Sequence, residues 1–191
     1  GEFRIHLPGK HNVMNALGAI TLSLELDIPY ENIQRGLDQY TGVRRRFEIK
    51  YIMDNGIIIV DDYAHHPSEV SSTIQAAKSG WGRRLIAIFQ PHLFTRTRDF
   101  YQEFAQAFQQ SDILIVTDIY HAREIPIPGI TAEIISDTTI KMGHKHVEYI
   151  PDQTQISYRI AEIAESNDII ITMGAGNIWR QCERIHEALC N

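Results

Sequence analysis

Cysteine is nearly absent: Cys182 and Cys190 are the only two in 191 residues. That excludes a disulfide-stapled secreted scaffold. In a helical C-terminal segment both would share a face but lie too far apart to bond, so they read as reduced thiols. No apolar run nears the roughly 20 residues that span a bilayer, and no signal-peptide pattern opens the chain. Basic charge is scarce, with 18 Lys and Arg against 24 Asp and Glu and a formal net charge of −6. The one basic run, Arg44-Arg45-Arg46, is too short for a polyanion-binding tail. These absences point away from nucleic acid and membranes and toward a cytoplasmic protein. There is no internal repeat, no low-complexity stretch and no G-x-x-x-x-G-K-[ST] phosphate loop. The chain starts at Gly1-Glu2-Phe3-Arg4 without methionine, and is expected to be a piece of a longer polypeptide.

The composition that remains, 43% hydrophobic and 22% charged, suits one sizeable core and a second small unit. Residues 11–26 carry Val13, Met14, Leu17, Ile20 and Leu24 at helical spacing, and residues 30–40 form a second short helix with Ile33 and Leu37. Thr41-Gly42 breaks the pattern, so a domain boundary is expected at about 41–46. Beyond it, apolar β-branched runs recur at 47–53, 57–62, 85–90, 113–117, 147–150 and 168–173. Helical segments at about 67–79, 97–110, 131–142, 153–166 and 176–189 separate most of them. Asp54-Asn55-Gly56 opens the series as a hairpin turn. The alternation predicts an α/β fold with a Rossmann-like, mostly parallel six-stranded sheet flanked by helices. Ligands bind such sheets at the carboxyl edge of the strands, and four polar clusters fall there.

The first is Asp61-Asp62-Tyr63-Ala64-His65-His66-Pro67, where a strand hands over to a helix with Pro67 and Glu69 in its first turn. Successive strand residues alternate, so Asp61 and Asp62 are expected on opposite faces. A capping aspartate explains one of them but not both, and either histidine alone reads equally well as a satisfied loop residue. The second cluster is Gln90 to Asp99. Arg96 and Arg98 straddle a helix start, where guanidinium forks suit a carboxylate or phosphate. Thr95 or Thr97 as a helix cap with exposed arginines is the plainer reading, which Arg96 outweighs and Arg98 balances. The third is the stiff loop Asp118 to Gly129, in which His121 and Glu124 read as ordinary connection residues. The fourth, Gly174-Ala175-Gly176-Asn177, lets backbone amides approach a ligand. Trp179 stands where a dinucleotide fingerprint needs its third glycine, which argues against NAD. Near the start, Gly9-Lys10-His11-Asn12-Val13-Met14-Asn15 sets Asn15 beneath His11. Amides there suit a purine edge, although spacing alone favours plain N-capping by Asn12.

Together these strings resemble the Mur ligase family of peptidoglycan synthesis. The resemblance is carried by Gly-Lys-His-Asn-Val-Met-Asn at 9–15, Arg-Arg-Phe at 45–47, Asp-Asp-Tyr-Ala-His-His-Pro at 61–67 and Phe-Gln-Pro-His at 89–92. Thr-Arg-Thr at 95–97, Pro-Ile-Pro-Gly at 126–129 and Gly-Ala-Gly-Asn at 174–177 complete it over essentially the whole chain. Several of the strings are similar to those that set apart the ligases joining L-alanine to UDP-N-acetylmuramate.

The resemblance implies ATP-dependent amide formation through an acyl phosphate on UDP-N-acetylmuramate, attacked by the amine of L-alanine. It implies that residues 1–43 are the tail of a central ATPase domain and 44–191 a complete C-terminal Rossmann-like domain, with the phosphate loop and the Mg2+ ligands lying upstream. By itself the chain is then expected to be inactive, supplying amino-acid and part of the ATP binding. His11, Asn12 and Asn15 would contact adenine. Arg45 or Arg46 and Asp62 would reach the ribose or phosphates, leaving Asp61 structural. Tyr63, His65 and Arg96 would hold the amino acid. Leu93 stands where the family commonly has arginine, which gives Arg96 more of the carboxylate to hold, and His121 replaces a usual proline. The rivals are a murein tripeptide recycling ligase, a non-catalytic nucleotide-binding module, and a metal-dependent phosphohydrolase using Asp61, Asp62, His65, His66 and Asp118.

Overall fold

In the computed structural model, which describes residues 1–190 and His11 by its backbone alone, two helices precede one sheet. α1 (Lys10–Glu25) and α2 (Tyr30–Asp38) come first. Then follow β1 (Glu48–Ile52), β2 (Ile58–Asp62), α3 (Pro67–Trp81), β3 (Leu85–Phe89), α4 (Phe94–Ala107), β4 (Ile113–Val116) and α5 (Glu133–Lys141). β5 (Val147–Tyr149), α6 (Ile156–Ile163), β6 (Ile169–Met173) and α7 (Gln181–Cys190) complete the chain. The strand order is β1-β2-β6-β3-β4-β5. Only the β1–β2 hairpin is antiparallel; β6 enters between β2 and β3, parallel to both. The expected six-stranded sheet and opening hairpin are both present.

The sheet divides its side chains by parity, as a pleated strand must. Ile58, Val60, Leu85, Ala87, Phe89, Leu114, Val116, Ile169 and Ile171 meet Val70 and Ile74 of α3, Phe104 of α4 and Ile135 of α5 in one core. Ile57, Ile59, Ile86, Ile88, Ile115 and Ile170 meet Ile156 and Ile160 of α6 with Cys182 and Ile185 of α7 in the other. Burial on both faces explains why these strands read as unbroken apolar runs. The row expected on α1 behaves differently: Val13, Met14, Leu17 and Leu24 are all exposed.

At the amino edge of the sheet, far from the polar loops, His144 is buried between the α5–β5 turn and the start of β4. Its Nε2–H donates to the Ser111 carbonyl at 2.8 Å, and its Nδ1 accepts from the His146 amide at 3.3 Å. The bond accepted by Nδ1 requires the neutral ring, and burial pushes the imidazolium below its usual range. A histidine held down in the folded state costs nothing while both states are neutral. Stability is lost as pH falls through about 6.5, where the unfolded chain takes up a proton that the folded one refuses. The melting temperature of the wild type, minus that of His144→Gln, is therefore expected to shrink between pH 7.5 and 5. A constant difference would show that His144 does not titrate with folding.

Candidate functional site

The loops after β2, β3, β4 and β6 meet at the carboxyl edge, and the sheet parity decides where the β2 aspartates point. Asp61 has the parity of Ile59 and faces the α7 side; Asp62 has that of Val60 and faces the α3 side. Asp61 accepts from the Thr172 hydroxyl at 2.8 Å and from Arg45 Nε at 2.9 Å. Asp62 Oδ2 accepts from the Phe47 amide at 2.8 Å and Oδ1 from the Ala64 amide at 2.7 Å. Burial holds both carboxyls above the usual carboxylate range. The split onto opposite faces is as expected, but Asp62 is no less structural than Asp61.

Of Arg45 and Arg46, expected as alternatives at the nucleotide, Arg45 bonds within the protein. Its guanidinium turns inward: beyond Asp61 it donates to the Gly174 carbonyl at 2.6 Å and more weakly to Gly176 at 3.4 Å. That leaves Arg46, more than half exposed, as the cation of the pair that faces the cleft. The segment is bent to do this, since Arg45 and Phe47 both adopt positive φ, at 60° and 47°. The Asp62 bond to Phe47 and the stacking of Phe47 on Trp81, centroids 5.6 Å apart, hold it there.

Two groups of polar side chains lie near Tyr63. On one side a cleft of about 390 Å³ opens between α1 and α3. Asn12, Asn15, Tyr40, Arg46, Asp62, Ser68, Glu69 and Thr73 line it. Asn12 donates to the Pro8 carbonyl at 2.6 Å, which ties the cleft wall to the chain before α1. The side chain of His11, expected here, lies outside the described residues. Amides and hydroxyls on a partly apolar wall suit a nucleoside. Among the described residues no three His, Cys, Asp or Glu side chains converge as metal ligands. The opposed aspartates are one reason, and the phosphohydrolase reading loses its site.

On the other side Tyr63, His65, His92, Arg96 and Tyr120 form a chain of aromatic and cationic contacts. Arg45 and Arg46 lie over the Tyr63 ring, at 4.8 and 5.9 Å from its centroid. His65 Nδ1 lies 2.9 Å from the Tyr63 carbonyl. A carbonyl only accepts, so Nδ1 carries a proton, and in the neutral ring Nε2 is the acceptor. Glu69 accepts from the His65 and His66 amides at 3.0 and 3.1 Å, starting α3 and fixing the loop. The His92 ring faces His65 at 6.0 Å and stacks on Tyr120 at 5.8 Å. His92 Nδ1 accepts from an Arg96 terminal nitrogen at 3.4 Å. Burial, and then the Arg96 charge, push His92 below the usual imidazolium range, which keeps it an acceptor. Among the described residues no carboxylate lies within ion-pair reach of Arg96, whereas Arg98 is paired with Asp99 at 2.7 Å.

Sequence reasoning passed over His92, Tyr120 and Glu124 as contributors, although the Pro-His string at 91–92 marked the first. It also read the glycine loop as an approach for ligand amides. Packing explains it instead: a Cβ on Gly176 would lie 2.3 Å from Gln90 Oε1 and 2.5 Å from the Tyr120 ring, and one on Gly174 only 2.7 Å from the Gln90 carbonyl. These glycines let three loops close on one another.

Residues 45–176 match the family model described as Mur ligase, glutamate ligase domain. The UDP-N-acetylmuramate–L-alanine ligase of Geotalea daltonii is 46% identical over 99% of this chain and 41% of its own length. The crystal structure of UDP-N-acetylmuramate-alanine ligase from Thermotoga maritima superposes with a TM-score of 0.83 at 29% identity, over 98% of this chain and 39% of that one. A murein peptide ligase from Psychrobacter arcticus follows at a TM-score of 0.69 and 25% identity, over 99% and 39%. The chain thus spans about 41% of the length of the curated relatives it matches. On its matched domain and its fold, this chain belongs to the Mur ligase family.

Proposed function

We propose that this chain is the C-terminal part of a cytoplasmic, ATP-dependent ligase that joins L-alanine to UDP-N-acetylmuramate in peptidoglycan synthesis. In this reading residues 1–43 end a central ATPase domain and 44–191 form the amino-acid-binding domain. The observation that supports it is the nearness of two chemically distinct groups of side chains: an amide- and hydroxyl-lined cleft, and a guanidinium without a carboxylate partner beside two imidazoles. The identity to alanine-adding relatives supports the same substrate.

The cleft residues fit the nucleoside end of ATP, with Asn12 and Asn15 toward the base and Asp62 and Arg46 toward the ribose and phosphates. ATP would supply the phosphoryl group that activates the sugar acid, with Mg2+ held by residues outside this chain. Arg96 binds the amino-acid carboxylate as a fork. His65 Nε2 takes a proton from the ammonium, freeing the amine lone pair for attack. Tyr63, covered by the arginines, separates nucleotide from amino acid and limits water at the reacting carboxylate.

The test has two arms. The chain alone, given ATP, UDP-N-acetylmuramate and L-alanine, is expected to release no phosphate above a boiled control, because it has no phosphate loop. A full-length ligase carrying this chain is expected to release phosphate with L-alanine and not with the murein tripeptide. Turnover by the chain alone would overturn the division of labour, and preference for the tripeptide would overturn the substrate.

A further inference from the structure

α4 has no cap of its own. Its N-cap position is Leu93, which offers no side-chain acceptor and sits at φ 75°, ψ 138°, a region that L-residues rarely occupy. The acceptor comes from the loop after β4. Glu124 Oε2 accepts from the Phe94 and Thr95 amides at 2.6 and 3.2 Å, and Oε1 accepts from the Thr95 hydroxyl. The same loop takes the Leu93 amide on the Tyr120 carbonyl at 3.1 Å and returns the Tyr120 amide to Pro91 at 2.8 Å. The strained residue is thus bracketed by tethers from one loop, and Arg96 begins immediately after the capped residues. Glu124 is not there to neutralise Arg98, which is paired with Asp99. Three donors already occupy its two oxygens, so it holds the helix start rather than a substrate ammonium.

We infer that Glu124 is a positioning residue for the amino-acid subsite, capping α4 from a distant loop so that Arg96 and His92 are held at the angle that receives the amino-acid carboxylate. This rests on the ligase reading above. It separates two roles within the third loop: Tyr120 stacks on His92, while Glu124 fixes the backbone from which Arg96 projects.

The test uses a full-length ligase carrying this chain, with KM measured separately for L-alanine and ATP. Loss of a cap through Glu124→Ala is expected to raise the L-alanine KM about fivefold and leave the ATP KM unchanged. Glu124→Gln keeps one acceptor oxygen toward Phe94 and Thr95 and should recover part of the loss. Thr95→Val removes a single donor, and gives a smaller rise should the alanine variant fold poorly. An unchanged L-alanine KM in Glu124→Ala overturns the inference, as does a parallel rise in both KM values, which marks general loosening. A wild type that does not use L-alanine overturns the ligase reading itself and this inference with it; an active wild type with indifferent variants overturns only Glu124.

Discussion

Asp61→Ala is expected to lower the melting temperature by about 6–12 °C, the largest single-residue effect at the sheet edge. The carboxylate is almost fully buried and anchors Arg45, whose side chain keeps 24% of its surface exposed. Removing one member of such a pair strands the other, which costs about 3 kcal/mol at the low end for buried pairs. For a chain of this size each kcal/mol moves the midpoint by about 2–4 °C. The loss should spread, because Arg45 also ties Gly174 and Gly176 to the start of β1. Asp61→Asn keeps one acceptor and should lose roughly half as much. Asp62→Asn should also destabilise, since its oxygens hold two backbone amides. Calorimetry on the three variants at pH 7 checks this. A shift under about 2 °C for Asp61→Ala would mean that Arg45 finds water as good a partner.

Arg96→Ala should raise the KM for L-alanine about tenfold to a hundredfold in a full-length ligase, with little change for ATP. A charge-assisted bidentate contact is worth roughly 1.5–3 kcal/mol, which converts to that range. The arginine is poised for it: its only polar partner among the described residues is His92, at 3.4 Å. Arg98→Ala is the matched control, because its guanidinium is already held by Asp99. Steady-state KM values for both variants decide the matter, and equal effects would mean that the region contributes only general positive charge.

The four inner strands, β2, β3, β4 and β6, were legible because each is buried along its whole length and therefore written in apolar, largely β-branched residues. Ile57 to Val60, Leu85 to Phe89 and Ile169 to Met173 leave little alternative. Asp61 and Asp62 were separable for the same reason, by parity along β2. Helix starts were less legible. α4 begins at Phe94, three residues before the expected 97, because its cap is Glu124, supplied from another loop. The expected helix over 153–166 resolves into a 3-10 turn at Gln153–Gln155 and a shorter α6. The inward role of Arg45 was illegible for a stronger reason. It depends on carbonyls of Gly174 and Gly176, more than a hundred positions away, and a basic triplet in sequence carries no sign of which member will turn inside. Histidines such as His144 were indistinguishable by pattern from those at the site.

The order of the strands sets a condition on how the sheet is made. β6 is the last of these six strands to leave the ribosome, yet it fills the place between β2 and β3. Until residues 169–173 emerge, the nascent chain holds two separate pieces, the β1–β2 hairpin and the β3–β4–β5 ribbon, each with an open inner edge. Arg45 waits as well, since two of its acceptors follow β6 directly. Closure of the sheet and completion of the rim at its carboxyl edge are therefore one late event, and a product cut short before β6 would leave both unpaired edges available to neighbouring chains.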